Sequence, residues 1–328
     1  MAEIVLAIGT SHSPILTIAG SEWHNRAAAD FENPGLTLSD GRTVDYQGLV
    51  AIRGEHFGDV AVASVFDAIA ARCQAHLDRL AREIAQAEPD VVIIIGDDQS
   101  ELYSPGNMPA IGIYWGQDVA THRFDDEIPD WMKPVALGYA MDETHVFPGH
   151  PAFARELIEG LIDRHIDLAI CDRVADPEAA GFGHAFGFPV ERLFGGRSIP
   201  IVPIMLNTYY PPNVMSAARC YDVGLALRDV IAASPSPHRV AIIASGGLSH
   251  FVVDEELDRQ VMAGLAGEAS ILRNIPREAL REGSSEILNW VMTAAAASDL
   301  QLSWSTYEPI RRTPAGTGIG VAFACWSK

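Results

Sequence analysis

The chain has 328 residues, of which 48% are apolar and 20% charged, a composition typical of a folded globular protein rather than a disordered one. Its 43 acidic and 23 basic residues give a formal net charge of −20, which argues against nucleic acid or an anionic membrane as a partner. The length suits one large α/β domain or two smaller ones.

The cysteines and the start of the chain both indicate an intracellular protein. The four cysteines are far apart, with no CxxC pair and no spacing suited to zinc, so we expect reduced thiols. Glu3 precedes the first apolar run and no basic segment comes before it, which is not typical of a signal peptide. No apolar segment approaches membrane-spanning length. We therefore expect a soluble, cytoplasmic protein.

The first predicted element is a buried strand that ends beside a histidine. Residues Glu3–Gly9 form an apolar run that stops at glycine, and His12 follows within three residues. In open α/β sheets, ligands bind just beyond the carboxyl ends of the strands. His12 is therefore a candidate site residue, and a polar residue in an ordinary turn is the alternative.

The next part of the chain changes character twice. Residues 18–57 lack regular periodicity, so we expect a long irregular excursion, and such segments are usually functional or mobile. Apolar positions then recur at helical spacing from Asp59 to Ala87, and Pro89 ends that helix. The run Asp90–Gly96 predicts a fully buried strand. It delivers the polar group Asp97-Asp98-Gln99-Ser100-Glu101 to a second loop at a strand end.

The remaining elements alternate between strands and helices. We expect strands at 109–115, 167–171, 199–205, 240–244, 302–307 and 319–326, and helices from 151 onward and at 214–232, 254–267 and 284–298. The glycine-rich and aromatic-rich segment 180–189, which contains His184, is expected to be a loop that can approach a planar ligand. This alternation predicts a single α/β domain, 1–328, with a central mixed, largely parallel sheet covered by helices on both faces.

Polar side chains follow four of the predicted strands: His12, the Asp97-Asp98-Gln99 group, Tyr209 with Tyr210, and His250. Each could be a hydrogen-bonded core residue, but several on neighbouring strands indicate an active site. The sequence has no GxSxG nucleophile elbow and no GxxxxGK[ST] phosphate loop. The glycine cluster at 316–320 precedes a strand rather than a helix, which disfavours dinucleotide binding.

Six short motifs occur in a fixed order: Thr10-Ser-His12-Ser-Pro14, Pro89-Asp-Val-Val-Ile-Ile-Ile95, Gly149-His150-Pro151, Asn207-Thr-Tyr-Tyr-Pro-Pro212, Gly246-Gly-Leu-Ser-His250 and Ser285-Glu286-Ile-Leu-Asn-Trp290. This order resembles that of the class III (type II) extradiol dioxygenases. The nearest likeness is the catalytic subunit of protocatechuate 4,5-dioxygenase and its relatives acting on gallate-type substrates. The resemblance runs from residue 1 to about 325, except at 18–88, which is longer than the family's usual form.

The resemblance implies a non-haem Fe(II) enzyme that cleaves the ring of a catechol-like or gallate-like aromatic acid with O2. Such iron is held by two histidines and one carboxylate. By position, His12 resembles the first histidine ligand and Glu286 the carboxylate. His250 resembles the catalytic base, and His184 the histidine that contacts a substrate hydroxyl. The candidate substrate contacts are Tyr209, Tyr210 and Ser249, with packing as the alternative for the two tyrosines.

One position departs from the family's pattern. Where the family has Asn-Asp-His after the buried strand, this chain has Asp97-Asp98-Gln99, and an amide oxygen is a harder and weaker ligand than imidazole. Gln99 is our candidate for the remaining ligand, and Asp98, Glu101 and His56 are the alternatives. Two other functions also stay open: a metal-dependent hydrolase or lyase that works without O2, and a binding protein that keeps the pocket without activity.

The family covers its site with a small helical partner subunit or an added domain, and this sequence has no obvious equivalent. The segment 18–57, with Trp23 and Tyr46, is our candidate lid, either in this chain or in the mate of a dimer. We expect a homo-oligomer that takes an aromatic diol and O2, with a small accessory subunit as an option.

Overall fold

The chain alternates strands and helices along its length, in a computed structural model that describes residues 1–125 and 127–328. The strands are β1 (Glu3–Thr10), β2 (Leu36–Thr37), β3 (Thr43–Val44), β4 (Val91–Asp97), β5 (Ile111–Tyr114), β6 (Asp118–Ala120), β7 (Val146–Pro148), β8 (Ala169–Cys171), β9 (Ile201–Leu206), β10 (Arg239–Ser245), β11 (His250–Val252), β12 (Gln301–Arg311) and β13 (Thr317–Ser327). The helices are α1 (Trp23–Glu32), α2 (Tyr46–Arg53), α3 (Ala63–Ala87), α4 (Lys133–Gly138), α5 (Pro151–Ile162), α6 (His184–Leu193), α7 (Ala217–Ala233), α8 (Glu255–Leu265), α9 (Ala269–Arg273) and α10 (Ile287–Ala296). In these residues, each helix is too short or too polar to cross a membrane.

The central sheet is built around four parallel strands. Its order is β11-β13-β1-β10-β4-β9-β5-β8, and β12 pairs with β13 beside this path. Strands β1, β10, β4 and β9 run parallel to one another, whereas β13 is antiparallel to β1 and β5 is antiparallel to β9. The predicted mixed, largely parallel α/β sheet is thereby confirmed.

Alternate residues of the central strands pack on opposite faces of the sheet. On β4, Val91, Ile93 and Ile95 join the core formed with α5, α7 and α10. Val92 and Ile94 join the core formed with α3 and α6 on the other face. All five side chains are fully buried, and each such burial stabilises the fold by roughly 1.5–3 kcal/mol. The strand is apolar at every position because both of its faces are covered.

The segment 18–57 is more regular than the sequence predicts, because it contains α1 and α2. Trp23 is fully buried, and its Nε1–H donates to the backbone oxygen of Ile15 at 2.9 Å. Tyr46 is also buried. These two aromatic side chains fix the segment to the rest of the protein. Helix α1 has no clear apolar stripe because its inward face carries the buried carboxylate of Asp30.

The segment 180–189 is not the loop that its glycines suggest. Helix α6 begins at His184 and continues through the rest of the segment. Phe186 is fully buried on this helix, and such packing outweighs the low helix propensity of glycine and proline. A Cβ at Gly187 would lie 1.8 Å from the backbone oxygen of Tyr139, so only glycine fits there.

Close packing at the end of β1 predicts a stability effect. A Cβ at Gly9 would lie 2.1 Å from the buried ring of Trp290, whose Nε1–H donates to the Gly246 backbone oxygen at 2.8 Å. We expect Gly9→Ala to lower the free energy of unfolding by about 1–3 kcal/mol in urea, because the ring must shift. Gly58→Ala is the control, since a Cβ there meets no atom within 4 Å. Equal losses in the two variants would contradict the packing argument.

Candidate active site

Charged and polar side chains from distant parts of the chain meet in one cavity at the carboxyl ends of the parallel strands. The cavity has a volume of about 330 Å³, a size typical of small-molecule sites. Its polar lining includes His12, Gln99, Glu101, His184, His250 and Glu286, together with Arg26 and Arg312. Its other walls are largely aromatic and apolar: Phe124, Met132, Tyr139, Tyr209, Phe251 and Ile319.

His12 and Glu286 face each other in the buried part of the cavity. The Nε2 atom of His12 is 3.3 Å from Oε2 of Glu286, and the two side chains are 3% and 2% exposed. The Nδ1 atom of His12 lies 2.9 Å from Oγ of Ser245, which fixes the orientation of the ring. Glu286 ends a 3-10 turn (Glu282–Glu286), and its Oε2 accepts the backbone N–H of Gly247 at 2.7 Å. An imidazole from the start of the chain thus meets a carboxylate from near its end.

His250 approaches the same carboxylate oxygen. Its Nε2 atom is 3.4 Å from Oε2 of Glu286, and its Nδ1 is 2.8 Å from the backbone oxygen of Leu248. Because a carbonyl oxygen only accepts, Nδ1 carries the hydrogen, and Nε2 of the neutral ring keeps its lone pair. Burial lowers the pKa of His250, although Glu286 opposes this shift. The ring is therefore neutral near neutral pH.

Two serines before α10 support the site and do not cap the helix. Neither Ser284 nor Ser285 caps this helix, whose first residue is Ile287. Instead, Oγ of Ser284 accepts the backbone N–H of His250 at 2.8 Å, and the Ser285 hydroxyl donates to the backbone oxygen of Glu282. The turn before α10 therefore positions both Glu286 and His250.

His184 forms an ion pair on another wall of the cavity. Its Nδ1 atom donates to Oε1 of Glu101 at 2.8 Å, and its ring centroid is 4.6 Å from that of His12. Burial alone would lower the pKa of His184, but Glu101, with Asp97 and Glu286, outweighs burial and raises it to about 9. The ring is therefore an imidazolium at neutral pH. Burial likewise opposes the ionisation of Glu101, but the His184 partner lowers the pKa of Glu101 overall.

This ion pair predicts a pH-dependent stability. The pKa of His184 is raised from 6.5 to about 9, so its contribution is fully present below pH 6.5 and is lost as pH rises through about 9. The pKa of Glu101 is lowered from 4.5, so its contribution is present above pH 4.5 and is lost at lower pH. The stability lost in Glu101→Gln should therefore be greatest between pH 4.5 and pH 6.5, the ordinary pKa values of the two groups. It should decrease as the pH rises toward about 9.

Urea unfolding of the metal-free protein across this pH range measures the effect. Asp40→Asn is the control, because Asp40 and its partner Arg42 are exposed. The difference in free energy of unfolding between wild type and Asp40→Asn should not decrease toward alkaline pH. A gap between wild type and Glu101→Gln that does not change with pH would contradict the assigned charge of His184.

Gln99 lies among the charged groups, and Asp97 lies beneath it. The amide Nε2 of Gln99 is 2.9 Å from Oδ2 of Asp97, 3.4 Å from Nε2 of His184 and 3.5 Å from Oε1 of Glu286. Burial, and then Glu286, raises the pKa of Asp97 to about 6. A ring nitrogen of His12, one of His184 and a carboxylate oxygen of Asp97 lie within 4.8 Å of one another, so His12 and Asp97 could share a metal ion, whereas the imidazolium of His184 has no free lone pair. Asp97 is therefore a potential ligand that was not singled out from the sequence, although it ends a buried strand.

The three alternatives to Gln99 lie in different places. Glu101 lines the cavity. The carboxylate of Asp98 instead accepts backbone N–H groups of its own loop, at 2.9 Å from Ser100 and 3.0 Å from Leu102. Burial, and then Glu101, raises the pKa of Asp98 to about 7. His56 is exposed and does not belong to the cavity lining in the described residues. Neither Asp98 nor His56 is thus placed to reach the cavity.

Of the three candidate substrate contacts, Tyr209 alone belongs to the cavity lining in the described chain. Tyr210 lies next to it, with ring centroids 6.2 Å apart, and its backbone N–H is bonded within its own turn. The hydroxyl of Ser249 donates to Oδ2 of the buried Asp258 at 2.7 Å. Ser249 lies in a bend directly before β11, where its side chain faces Asp258, whereas the side chain of His250 reaches the site.

Three lining residues were not expected from the sequence. The hydroxyl of Tyr139 donates to the backbone oxygen of His12 at 2.6 Å, and its ring centroid is 5.1 Å from that of His184. Arg26 and Arg312 form another part of the wall. No pattern marks Tyr139, which lies in a proline-broken segment, whereas Arg312 directly follows a strand, as the histidines do.

The donor atoms in the cavity fit a divalent transition-metal ion. Within the described residues, Nε2 of His12 is buried and makes no hydrogen bond, although it lies 3.3 Å from Oε2 of Glu286. Nε2 of His250 is directed at the same oxygen. Imidazole nitrogen and carboxylate oxygen are the ligands that iron and related metals take in such sites. With the hydrogen of each ring on Nδ1, a cation would satisfy the two Nε2 atoms and the carboxylate together.

Comparisons with known proteins identify the family of this chain. Residues 61–313 match the family model of the catalytic LigB subunit of aromatic ring-opening dioxygenase. A 2,3-dihydroxyphenylpropionate/2,3-dihydroxicinnamic acid 1,2-dioxygenase of Comamonas testosteroni is 29% identical over 219 residues, which is 66% of this chain and 59% of the relative. A gallate dioxygenase of Pseudomonas putida is 32% identical over 111 residues, which is 33% of this chain and 30% of the relative.

The two relatives are matched over only part of their length, whereas the family model matches most of this chain. The chain covers less than two thirds of the length of either relative, 59% and 30%. The family model, in contrast, covers more than half of this chain. The resemblance found in the motifs is thereby confirmed, and the chain belongs to the family of catalytic LigB subunits of aromatic ring-opening dioxygenases.

Proposed function

We propose that this chain is a cytoplasmic, non-haem Fe(II)-dependent dioxygenase that opens the ring of a catechol-like or gallate-like acid by extradiol cleavage. The observation that carries the proposal is the meeting of His12, Glu286 and His250 in one buried cavity of a chain from this family. The names of the two relatives, a dihydroxyphenylpropionate dioxygenase and a gallate dioxygenase, support a ring diol as substrate.

His12, Glu286 and Gln99 are the residues that would hold the iron, with Asp97 beside them. When bound, Fe(II) supplies the Lewis-acid and redox chemistry that activates a diol and O2. The contact of His12 with Ser245 and the N–H donated by Gly247 to Glu286 orient the two protein ligands. Such supporting contacts commonly hold metal-binding side chains in position.

His250 is the proposed general base. Its neutral ring keeps a lone pair on Nε2, which points into the cavity beside Glu286. This atom can take the proton of a ring hydroxyl. Charge repulsion does not oppose that step, because burial keeps the ring neutral before the proton arrives.

His184 is the proposed partner of a substrate oxygen. Its Nδ1–H is committed to Glu101, and in the imidazolium form Nε2 also carries a hydrogen. That second N–H is available to a hydroxyl or phenolate oxygen of the substrate. The surrounding aromatic and apolar side chains exclude water and strengthen these polar contacts.

Anaerobic loading with Fe(II), followed by a diol and then O2, tests the proposal. Protocatechuate, gallate and catechol form the panel, and the expected result is O2 uptake with yellow ring-fission products. Absence of O2 uptake with every diol, in protein shown to contain iron, would refute it. Bound zinc with turnover independent of O2 would instead support a metal-dependent hydrolase or lyase. Homo-oligomerisation, an accessory subunit and a lid role for 18–57 stay predictions.

A further inference from the structure

Two arginines in the cavity wall lie beside a single aspartate. Arg312 donates from Nε and Nη2 to the two carboxylate oxygens of Asp30, at 2.8 and 3.1 Å. The hydroxyl of Thr317 donates to Oδ2 of the same carboxylate at 2.9 Å. Asp30 is buried on α1, and Arg312 follows β12 with its side chain 4% exposed. The carboxylate of Asp30 is therefore fully engaged by Arg312 and Thr317.

Arg26 lies in the same wall but has no such partner. Its nearest anionic atom in the described chain is Oδ1 of Asp30, 4.0 Å from Nη1, which is beyond hydrogen-bond distance. Its side chain is 29% exposed and lines the cavity. A guanidinium carries five N–H donors, and in the described residues none of those of Arg26 has an aligned acceptor. This is a half-buried cation with open donors.

The charges in this wall do not balance. Arg26 and Arg312 are two cations, and Asp30 is the anion between them. Burial, and then the proximity of Arg312, lowers the pKa of Arg26, while Asp30 opposes this shift. The chain has a formal net charge of −20, and Glu101 and Glu286 line other parts of the cavity, yet this wall keeps one cation in excess. An anion bound beside Arg26 would neutralise this excess.

The remaining lining indicates which anion fits. The cavity that Arg26 shares with the groups that would bind a diol is also lined by aromatic side chains, among them Tyr139, Tyr209 and Phe251. Both tyrosines line the same cavity as Arg26. Flat aromatic walls favour a planar ring, and the planar fork of arginine matches a carboxylate in bidentate geometry.

We propose that Arg26 binds the carboxylate of an aromatic acid and so determines the preference for anionic over neutral diols. This inference rests on the proposed ring cleavage for its substrate class. Arg312, held by Asp30, is a positioning residue that keeps α1 and therefore Arg26 in place. The diol end of the substrate lies toward His250 and Glu286, and the acid end lies toward α1.

Anaerobic calorimetry on the iron-loaded protein tests the inference with three probes: benzoate, protocatechuate and catechol. Arg26→Gln should weaken benzoate and protocatechuate binding roughly 10- to 100-fold, because a charge-assisted bidentate contact is lost. Catechol has no carboxylate, so its affinity should change less than about twofold. In steady-state kinetics, KM should rise for protocatechuate and stay unchanged for catechol.

Two further variants keep the test sharp. Arg42→Gln removes the same charge from the same segment, but Arg42 is paired with Asp40 at the exposed surface and should leave all three affinities unchanged. Arg26→Lys keeps the charge without the planar fork, so it should weaken benzoate binding less than Arg26→Gln does and leave catechol binding unchanged. If Arg26→Gln does not fold, Arg26→Lys carries the comparison.

The outcomes separate this inference from the proposed function. Unchanged benzoate binding in Arg26→Gln, equal weakening of benzoate and catechol, or no benzoate binding by the wild type would each overturn it. If the protein cleaves the ring and any of these results is found, the dioxygenase assignment stands and only the proposed role of Arg26 is refuted. A wild type that binds benzoate but cleaves no diol would refute ring cleavage. If Arg26→Gln then loses benzoate binding, the carboxylate site is still supported.

Discussion

Replacing Glu286 or His12 by alanine is expected to remove most of the bound iron, whereas His250→Ala retains it. The Oε2 atom of Glu286 faces the Nε2 atoms of both histidines. Glu286→Ala therefore removes the carboxylate that would bind the iron beside these imidazoles. His250→Ala should nevertheless lose activity by about 10²–10⁴-fold, the usual contribution of a general base. Metal analysis of the purified variants, with kcat on protocatechuate, measures both effects.

A histidine outside the cavity provides the matched control. His76 packs against Trp304 and Phe323, with ring centroids 6.2 and 5.5 Å away. His76→Ala should keep the iron and the activity, whatever its cost in stability. Equal iron in the Glu286, His12 and His250 variants would overturn the assigned roles. Iron loss in His250→Ala would make His250 a metal ligand rather than the base.

The strands that carry the site can be predicted from the sequence because their burial leaves a direct pattern. On β4 both faces are covered, so every residue from Val91 to Ile95 is apolar and the run ends where the sheet meets the cavity. Polar residues after such runs, as at His12 and His250, then share one edge of the sheet by topology. Distant residues converge because of the order of the strands in the sheet. Local sequence does not encode this order, but the fold class limits the possible orders.

The direction of individual side chains cannot be predicted in the same way. Ser249 and His250 are adjacent in one motif, yet one bonds to Asp258 and the other reaches the cavity. Asp98 and Gln99 differ similarly, since Asp98 accepts the N–H groups of its own loop. A motif identifies the loop, and only the local backbone decides which of its side chains faces the ligand.

The wall formed by α1 is the part of the site that was least predictable. Arg26 and Asp30 are four residues apart, a spacing that reads as an ordinary surface ion pair. The role of this pair depends on Arg312, which is 282 positions away from Asp30 in the chain and binds its carboxylate. A charge imbalance of this kind exists only in the folded cavity.

Gln99→His is expected to raise the affinity for Fe(II) by about tenfold or more. The side chain of Gln99 already lies among Asp97, His184 and Glu286, within 3.5 Å of an atom of each. An imidazole nitrogen is a better ligand for Fe(II) than an amide oxygen, and changes around metal sites commonly alter affinity 10- to 100-fold. Competition with a chelator of known affinity measures the change.

The matched control and a second variant decide what this residue does. Gln74→His places the same imidazole outside the cavity, where Gln74 now bonds to the backbone oxygen of Leu16 and to Arg192, and should not change iron affinity. Gln99→Ala should lower it, because the amide is lost without replacement. Full iron content in Gln99→Ala would move the third ligand to Asp97 or Glu101, which are the remaining carboxylates around this position. A carboxylate-rich set would then favour harder metal ions, so the metal preference itself would distinguish the two arrangements.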